Sequence, residues 1–97
     1  MYELSARARE LRERLIAFMH EVVEPGERAY FAHVETPGQR WTIPPVMEEM
    51  KRKARAAGLW NLFLPDARHG AGLTHLDYAR LAEVMGRSLI ASEVFNC

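Results

Sequence analysis

From Glu3 to Glu24 the apolar residues Leu4, Ala8, Leu11, Leu15, Phe18 and Val22 recur at alternating intervals of four and three. That spacing predicts a helix with one face laid on a core. Met19 and Val23 widen the stripe, while Arg7, Glu10, Glu13, Arg14 and Glu21 fill the remaining surface. Pro25-Gly26 interrupts the pattern. Proline is tolerated in a first helical turn, so the chain is expected to continue behind a kink, with Glu27 to His33 adding two turns. Thr36-Pro37-Gly38 is a turn by composition. Pro44 and Pro45 lack amide hydrogens and suit only the first turn of the next helix. Glu48 and Glu49 come early in it and Lys51, Arg52, Lys53 and Arg55 late, which complements the helix dipole. Met47, Met50, Ala54 and Ala57 mark its inward face, and Gly58 followed by Leu59 reads as its stop.

The segment Leu59 to Leu64 is nearly all apolar and too short for a helix of its own, so it reads as buried connector. Pro65 and Gly70-Ala71-Gly72 then force a loop. Thr74 suits the N-cap of a further helix, with Asp77 three residues on to answer the dipole and Leu73 and Tyr78 at staple spacing. Tyr78, Leu81, Ala82 and Met85 share one face of this helix, and Asp77, Arg80 and Glu83 occupy the other. Gly86 is expected to end it with a positive φ. The whole predicts an all-α domain of about four helices with long loops and no sheet.

Length and charge narrow the function. Ninety-seven residues make one domain with one modest core. Thirteen basic residues balance thirteen acidic ones, so no net field draws in nucleic acid or an anionic membrane. The single cysteine, Cys97, excludes an internal disulfide framework and a multi-cysteine zinc site, and fits a reducing compartment. No apolar run approaches the roughly 18 residues of a membrane span. Met1 to Arg14 is too charged for a signal peptide, so a cytoplasmic location is expected.

Each candidate for chemistry has a structural explanation. Gly70-Ala71-Gly72 lacks the Lys-Ser/Thr ending of a phosphate loop and the third glycine of a dinucleotide fingerprint, and reads as a tight turn feeding Thr74. His69 and His75, with Asp66 or Asp77, form no metal-ligand spacing and are expected to be polar loop residues. The basic cluster Lys51 to Arg55 is accounted for by the helix dipole. Trp41 and Trp60 are expected to be buried anchors. Glu83 is expected near the inner edge of its helix, where a carboxylate needs a partner such as an arginine.

Read as an ordered string, Ala57-Gly58-Leu59-Trp60, Leu64-Pro65, Gly70-Ala71-Gly72-Leu73, and Tyr78 to Gly86 with its ending Ala82-Glu83-Val84-Met85-Gly86, the chain resembles the amino-terminal domain of the acyl-CoA dehydrogenase family. The tail Gly86-Arg87-Ser88 with Glu93-Val94-Phe95-Asn96-Cys97 resembles the branch whose animal members can carry a phosphotransferase-like domain on the same chain. The likeness runs from about Leu4 to Cys97.

The resemblance implies a three-domain flavoenzyme of helical, β-barrel and helical-bundle parts that oxidises the Cα–Cβ bond of an acyl-CoA thioester. A glutamate base removes the α-proton, the β-hydride passes to FAD, and electrons leave to an electron-transfer flavoprotein. In that family the base and nearly all flavin and CoA contacts belong to the middle and carboxyl-terminal domains. Residues 1–97 are therefore expected to be the helical domain truncated before the other two, inactive alone and without bound FAD. No catalytic, cofactor or metal residue is assigned, and Glu48, Glu49, Glu83 and Glu93 are not offered as the base. The resemblance places part of the acyl-tail wall on the helix beginning near Ser92, which makes Val94 and Phe95 the candidate substrate residues. A domain without its packing partners is expected to expose apolar surface and self-associate. The alternatives are a stand-alone helical protein-interaction module and a helix-turn-helix DNA binder, the latter opposed by the neutral charge.

Overall fold

The computed structural model describes residues 3–62, 64 and 72–96. Its helices are α1 (Ala6–Phe18), α2 (Glu24–Glu35), α3 (Pro45–Ala56), α4 (His75–Met85) and the short α5 (Ala91–Val94), and the described residues contain no strand. Helices α1 and α2 are joined without a break by a π-helical turn, Met19–Val23, so the described residues form four helical bodies, as the hydrophobic pattern predicts.

The π turn is the form taken by the kink expected at Pro25. In a regular helix the proline ring collides with the carbonyl four residues back, here that of Glu21. The wider turn, in which the Glu24 N–H bonds the Met19 carbonyl, makes room ahead of the ring. The helix then runs to Glu35, beyond the expected end at His33. A rod over residues 6–35 rising about 1.5 Å per residue is about 45 Å long, which accounts for the longest dimension of the domain, 48 Å.

The two halves of the rod take different partners: α1 packs on α4 and α2 on α3, while α3 also holds α5. Ala8, Leu11, Leu15, Phe18, Met19 and Val23 from the rod meet Met47, Met50 and Ala54 of α3, Leu81, Val84 and Met85 of α4, and Ala91, Val94 and Phe95 in one core. Val22, expected on the stripe, is only half-buried, and Val23 takes the fully buried position.

The helix ends follow local chemistry. Ser5 caps α1, its hydroxyl accepting from the Ala8 N–H at 3.1 Å. Pro44 and Pro45 stand at the N-cap and first position of α3. That helix ends in a Schellman motif, with Leu59 N–H bonded to the Ala54 carbonyl, Gly58 N–H to that of Arg55, and Gly58 at φ 73°. The Arg14 guanidinium donates to the neighbouring Ala57 carbonyl. Leu59 and Leu62 are buried, as the connector reading requires. Thr74 caps α4, accepting from the Asp77 N–H at 3.1 Å.

Four expectations are corrected. Asp77 is not on the solvent face: it is 3% exposed and accepts from the backbone N–H and hydroxyl of Ser5 at 3.4 and 3.1 Å. The first turns of α1 and α4 meet there, and both favour a negative charge. Glu83 is 65% exposed, on the polar face that the helical pattern gives it and not near the inner edge, and pairs with Arg80 one turn back at 3.2 Å. Gly86 ends α4 at φ −63°, in the right-handed region. The helix tapers instead through Arg87 and Ser88, whose N–H groups bond the Val84 and Met85 carbonyls. Trp41, expected in the core, is 87% exposed beneath the Arg40 guanidinium, 5.0 Å from its ring. Its loop is tied down by polar bonds, His33 Nε2 to Thr42 Oγ1 at 2.7 Å among them, and Pro44 is the residue it buries. Trp60 is half-buried and carries Arg55 over its ring at 4.4 Å.

Candidate functional site

Helix α4 presents Tyr78, Ala82 and Met85 at intervals of four and three, so the three line up on one side. Beside them the chain turns through Gly86 and Ser88 and returns with Ser92 at the start of α5. Together these residues bound a groove of about 280 Å³. Ala82 and Gly86 leave it open, because neither carries a side chain long enough to fill it. The walls are mixed: the ring of Tyr78 and the thioether side of Met85 are apolar, whereas Ser88 and Ser92 bring hydroxyls. The Ser88 hydroxyl is committed, donating to Glu27 Oε2 at 2.7 Å and accepting from the Ile90 N–H at 3.2 Å. That bond fastens the turn to α2. Among the described residues no Lys or Arg lines the groove.

Val94 and Phe95, the residues singled out for the acyl tail, are both fully buried in the core of this chain. The ring of Phe95 lies against that of Phe18, with centroids 5.4 Å apart and planes tilted at 57°. Among the described residues of α5 and its end, Ser92 lines the groove and Val94 and Phe95 do not. The helical pattern of Tyr78, Ala82 and Met85 points only to packing; the signal for a groove is small Ala82 and Gly86 on the same stretch. Phe63, Pro65, Asp66, His69, Gly70, Ala71 and Cys97 lie outside the described residues, so the glycine-loop and histidine readings rest on residues not placed here. Of the remaining metal candidates, His75 is exposed, whereas Asp77 is buried against Ser5. Among the described residues no group of three His, Cys, Asp or Glu side chains is arranged to hold a metal.

The family model for the acyl-CoA dehydrogenase N-terminal domain matches residues 5–96. The chain belongs to that family. Relatives include acyl-CoA dehydrogenase family member 10 of Mus musculus, 48% identical over 97% of this chain and 9% of the mouse protein. Family member 11 of Gallus gallus is 40% identical over the full chain, and both names fall in the branch that the tail resembles. The probable acyl-CoA dehydrogenase FadE2 of Mycobacterium tuberculosis is 45% identical over 99% of this chain and 23% of its own length. A solved Mycobacterium abscessus structure, whose description assigns it to the acyl-CoA dehydrogenases, superposes with a TM-score of 0.90 at 49% identity, covering 99% of this chain and 26% of that one. The chain thus spans about a quarter or less of the length of these relatives.

Proposed function

We propose that this acyl-CoA dehydrogenase amino-terminal domain serves an FAD-dependent enzyme that introduces a Cα–Cβ double bond into acyl-CoA thioesters. In this reading the groove beside α4 forms part of the wall around the fatty-acyl tail, and Val94 and Phe95 shape that wall from behind Ser92. The observation that carries the reading is a groove of apolar and hydroxyl character within a domain whose likeness to acyl-CoA dehydrogenases extends over residues 5–96.

The groove does not fit a flavin. Among the described residues no cation lines it to meet a pyrophosphate. No catalytic step is therefore derived from these residues. The β-barrel and carboxyl-terminal bundle, the glutamate base, FAD and the surface for an electron-transfer flavoprotein belong in this proposal to other parts of the enzyme. The 97-residue chain alone is inactive and retains no FAD. What its own residues do is bury an alkyl tail away from water, against Tyr78, Ala82 and Met85. No helix among the described residues is long and apolar enough to cross a membrane, and we place the protein in the cytoplasm.

The test is a chimera in which this chain replaces the matching segment of the Mycobacterium abscessus protein. It should retain FAD and turn over acyl-CoA with a dye acceptor, and Ala82→Trp in it, which fills the groove, should shift preference to shorter acyl chains. A flavin-loaded, active chimera whose chain-length preference ignores Ala82→Trp would remove the groove from the acyl pocket. Turnover by the isolated chain would refute its inactivity. A second reading, a helical interaction module, is favoured by one observation: Trp41, Ile43, Leu76 and Leu89 are large, apolar and exposed. These residues would serve either self-association or a partner protein, and sedimentation of the pure chain distinguishes the two.

A further inference from the structure

Among the described residues, the only non-glycine positions with positive φ are Asn61 (58°) and Asn96 (55°), and these two touch each other. The side-chain amide of Asn96 donates to the side-chain oxygen of Asn61 at 2.5 Å. The backbone N–H of Asn61 donates to the Phe95 carbonyl at 3.0 Å. Asparagine enters the left-handed region more readily than other residues with a side chain. Placed face to face, one in the connector after α3 and one at the end of α5, the pair both turns the two backbones and ties them together.

The tie matters because α5 is four residues long, far too short to persist by its own hydrogen bonds. It carries Val94 and leads into Phe95, both core residues, and it presents Ser92 to the groove. Among the described residues α5 also holds Lys51 through Glu93 at 3.2 Å; that ion pair and the Asn61–Asn96 side-chain bond both lie at the surface, so the tie rests as much on the backbone bond from Asn61 to Phe95.

We propose that Asn61 and Asn96 form a latch that seats α5, and that the groove wall at Ser92 opens when the latch releases. Release parts the Asn61 N–H from the Phe95 carbonyl, and the α1–α4 pairing takes no part in that bond, so the opening is a local event. The latch belongs to the fold and holds whatever the groove accepts.

Residue-resolved amide hydrogen exchange on the 97-residue chain tests it. Aspartate also tolerates a left-handed backbone, and either single change keeps a donor opposite an acceptor: in Asn61→Asp the Asn96 amide still donates, and in Asn96→Asp the Asn61 amide, turned over, donates instead. The double variant N61D/N96D sets two carboxylates against each other. Near neutral pH, protection at Asn61 and Glu93 to Asn96 should stay within about twofold of wild type in the singles and fall about threefold to tenfold in the double, with α1 and α4 unchanged. Acidification below about pH 4 protonates the carboxylates and should restore the lost protection. Wild-type protection in the double variant would overturn the latch, as would a loss shared equally by α1 and α4. Should the double variant not fold, Asn96→Gly keeps the backbone geometry and deletes the amide. A loss confined to α5 then upholds the proposal, and no loss overturns it.

Discussion

Gly26 sets how closely α2 and α3 approach, and replacing it with alanine pits two effects against each other. In the interior of a helix alanine is favoured over glycine by about 1 kcal/mol. At this position the added Cβ would lie 2.3 Å from the Met50 sulfur and 3.1 and 3.2 Å from Met50 Cε and Cγ. The clashing Sδ and Cε are the flexible end of Met50, but Met50 is 2% exposed, so that end can move only into other core atoms. Overpacking of this kind costs about 1–3 kcal/mol, and three close atoms argue for its upper half. Gly26→Ala should therefore be net destabilising by about 1–2 kcal/mol, which lowers Tm by about 4–8 °C per kcal/mol in a domain this small. Urea unfolding followed by far-UV circular dichroism, on wild type, G26A, M50A and the double variant, closes the cycle. M50A alone should cost about 2–5 kcal/mol. In its background the clash is gone and G26A should become stabilising by about 1 kcal/mol. That change of sign is the prediction. G26A as stable as wild type would refute the close approach, and an equal penalty in both backgrounds would place the limit on backbone rather than on Met50.

Other outcomes follow from the same contacts. Ser5→Ala removes the α1 cap and both strips a hydroxyl from buried Asp77 and loosens the bond from the Ser5 N–H; the loss should be about 2 kcal/mol by urea unfolding, whereas Ser92→Ala should stay within about 0.5 kcal/mol. Phe95→Ala deletes a fully buried ring packed on Phe18, and should cost about 3–5 kcal/mol, read as a Tm shift in calorimetry. Trp41→Ser should change stability by less than about 0.5 kcal/mol yet weaken concentration-dependent association in sedimentation velocity; unaltered association would exclude Trp41 from any self-contact.

Much of the fold was legible because it rests on local rules. The stripe from Ala8 to Phe18, the prolines opening α3, the Gly58-Leu59 stop and the Thr74 cap each depend on a few neighbouring residues, and each appears where those residues place it. The failures share a different cause. Asp77 has the spacing of a surface residue, yet Ser5 arrives from the far end of the chain to meet it. Trp41 has the composition of an anchor, but its loop stands off the core, and burial depends on where a loop lies. Gly86 has the composition of a left-handed stop, but the 3₁₀-like bonds of Arg87 and Ser88 close α4 without one. The groove was harder still, since it is a space between α4 and the turn into α5. Asn61 and Asn96 carried a faint signal, tolerance of positive φ, but their meeting is a tertiary fact.

The π turn over Met19–Val23 has a consequence for how the two ends of the domain are phased. Each helical residue turns the side chains by about 100°, so the residue count between Phe18 and Glu24 fixes the azimuth of α2 relative to α1. Deleting one residue there would leave each half-rod intact while swinging Gly26 about a quarter-turn away from Met50. Since α1 engages α4 and α2 engages α3, five residues keep the angular registry of two separate helix pairings, and a substitution elsewhere in the rod cannot reset it.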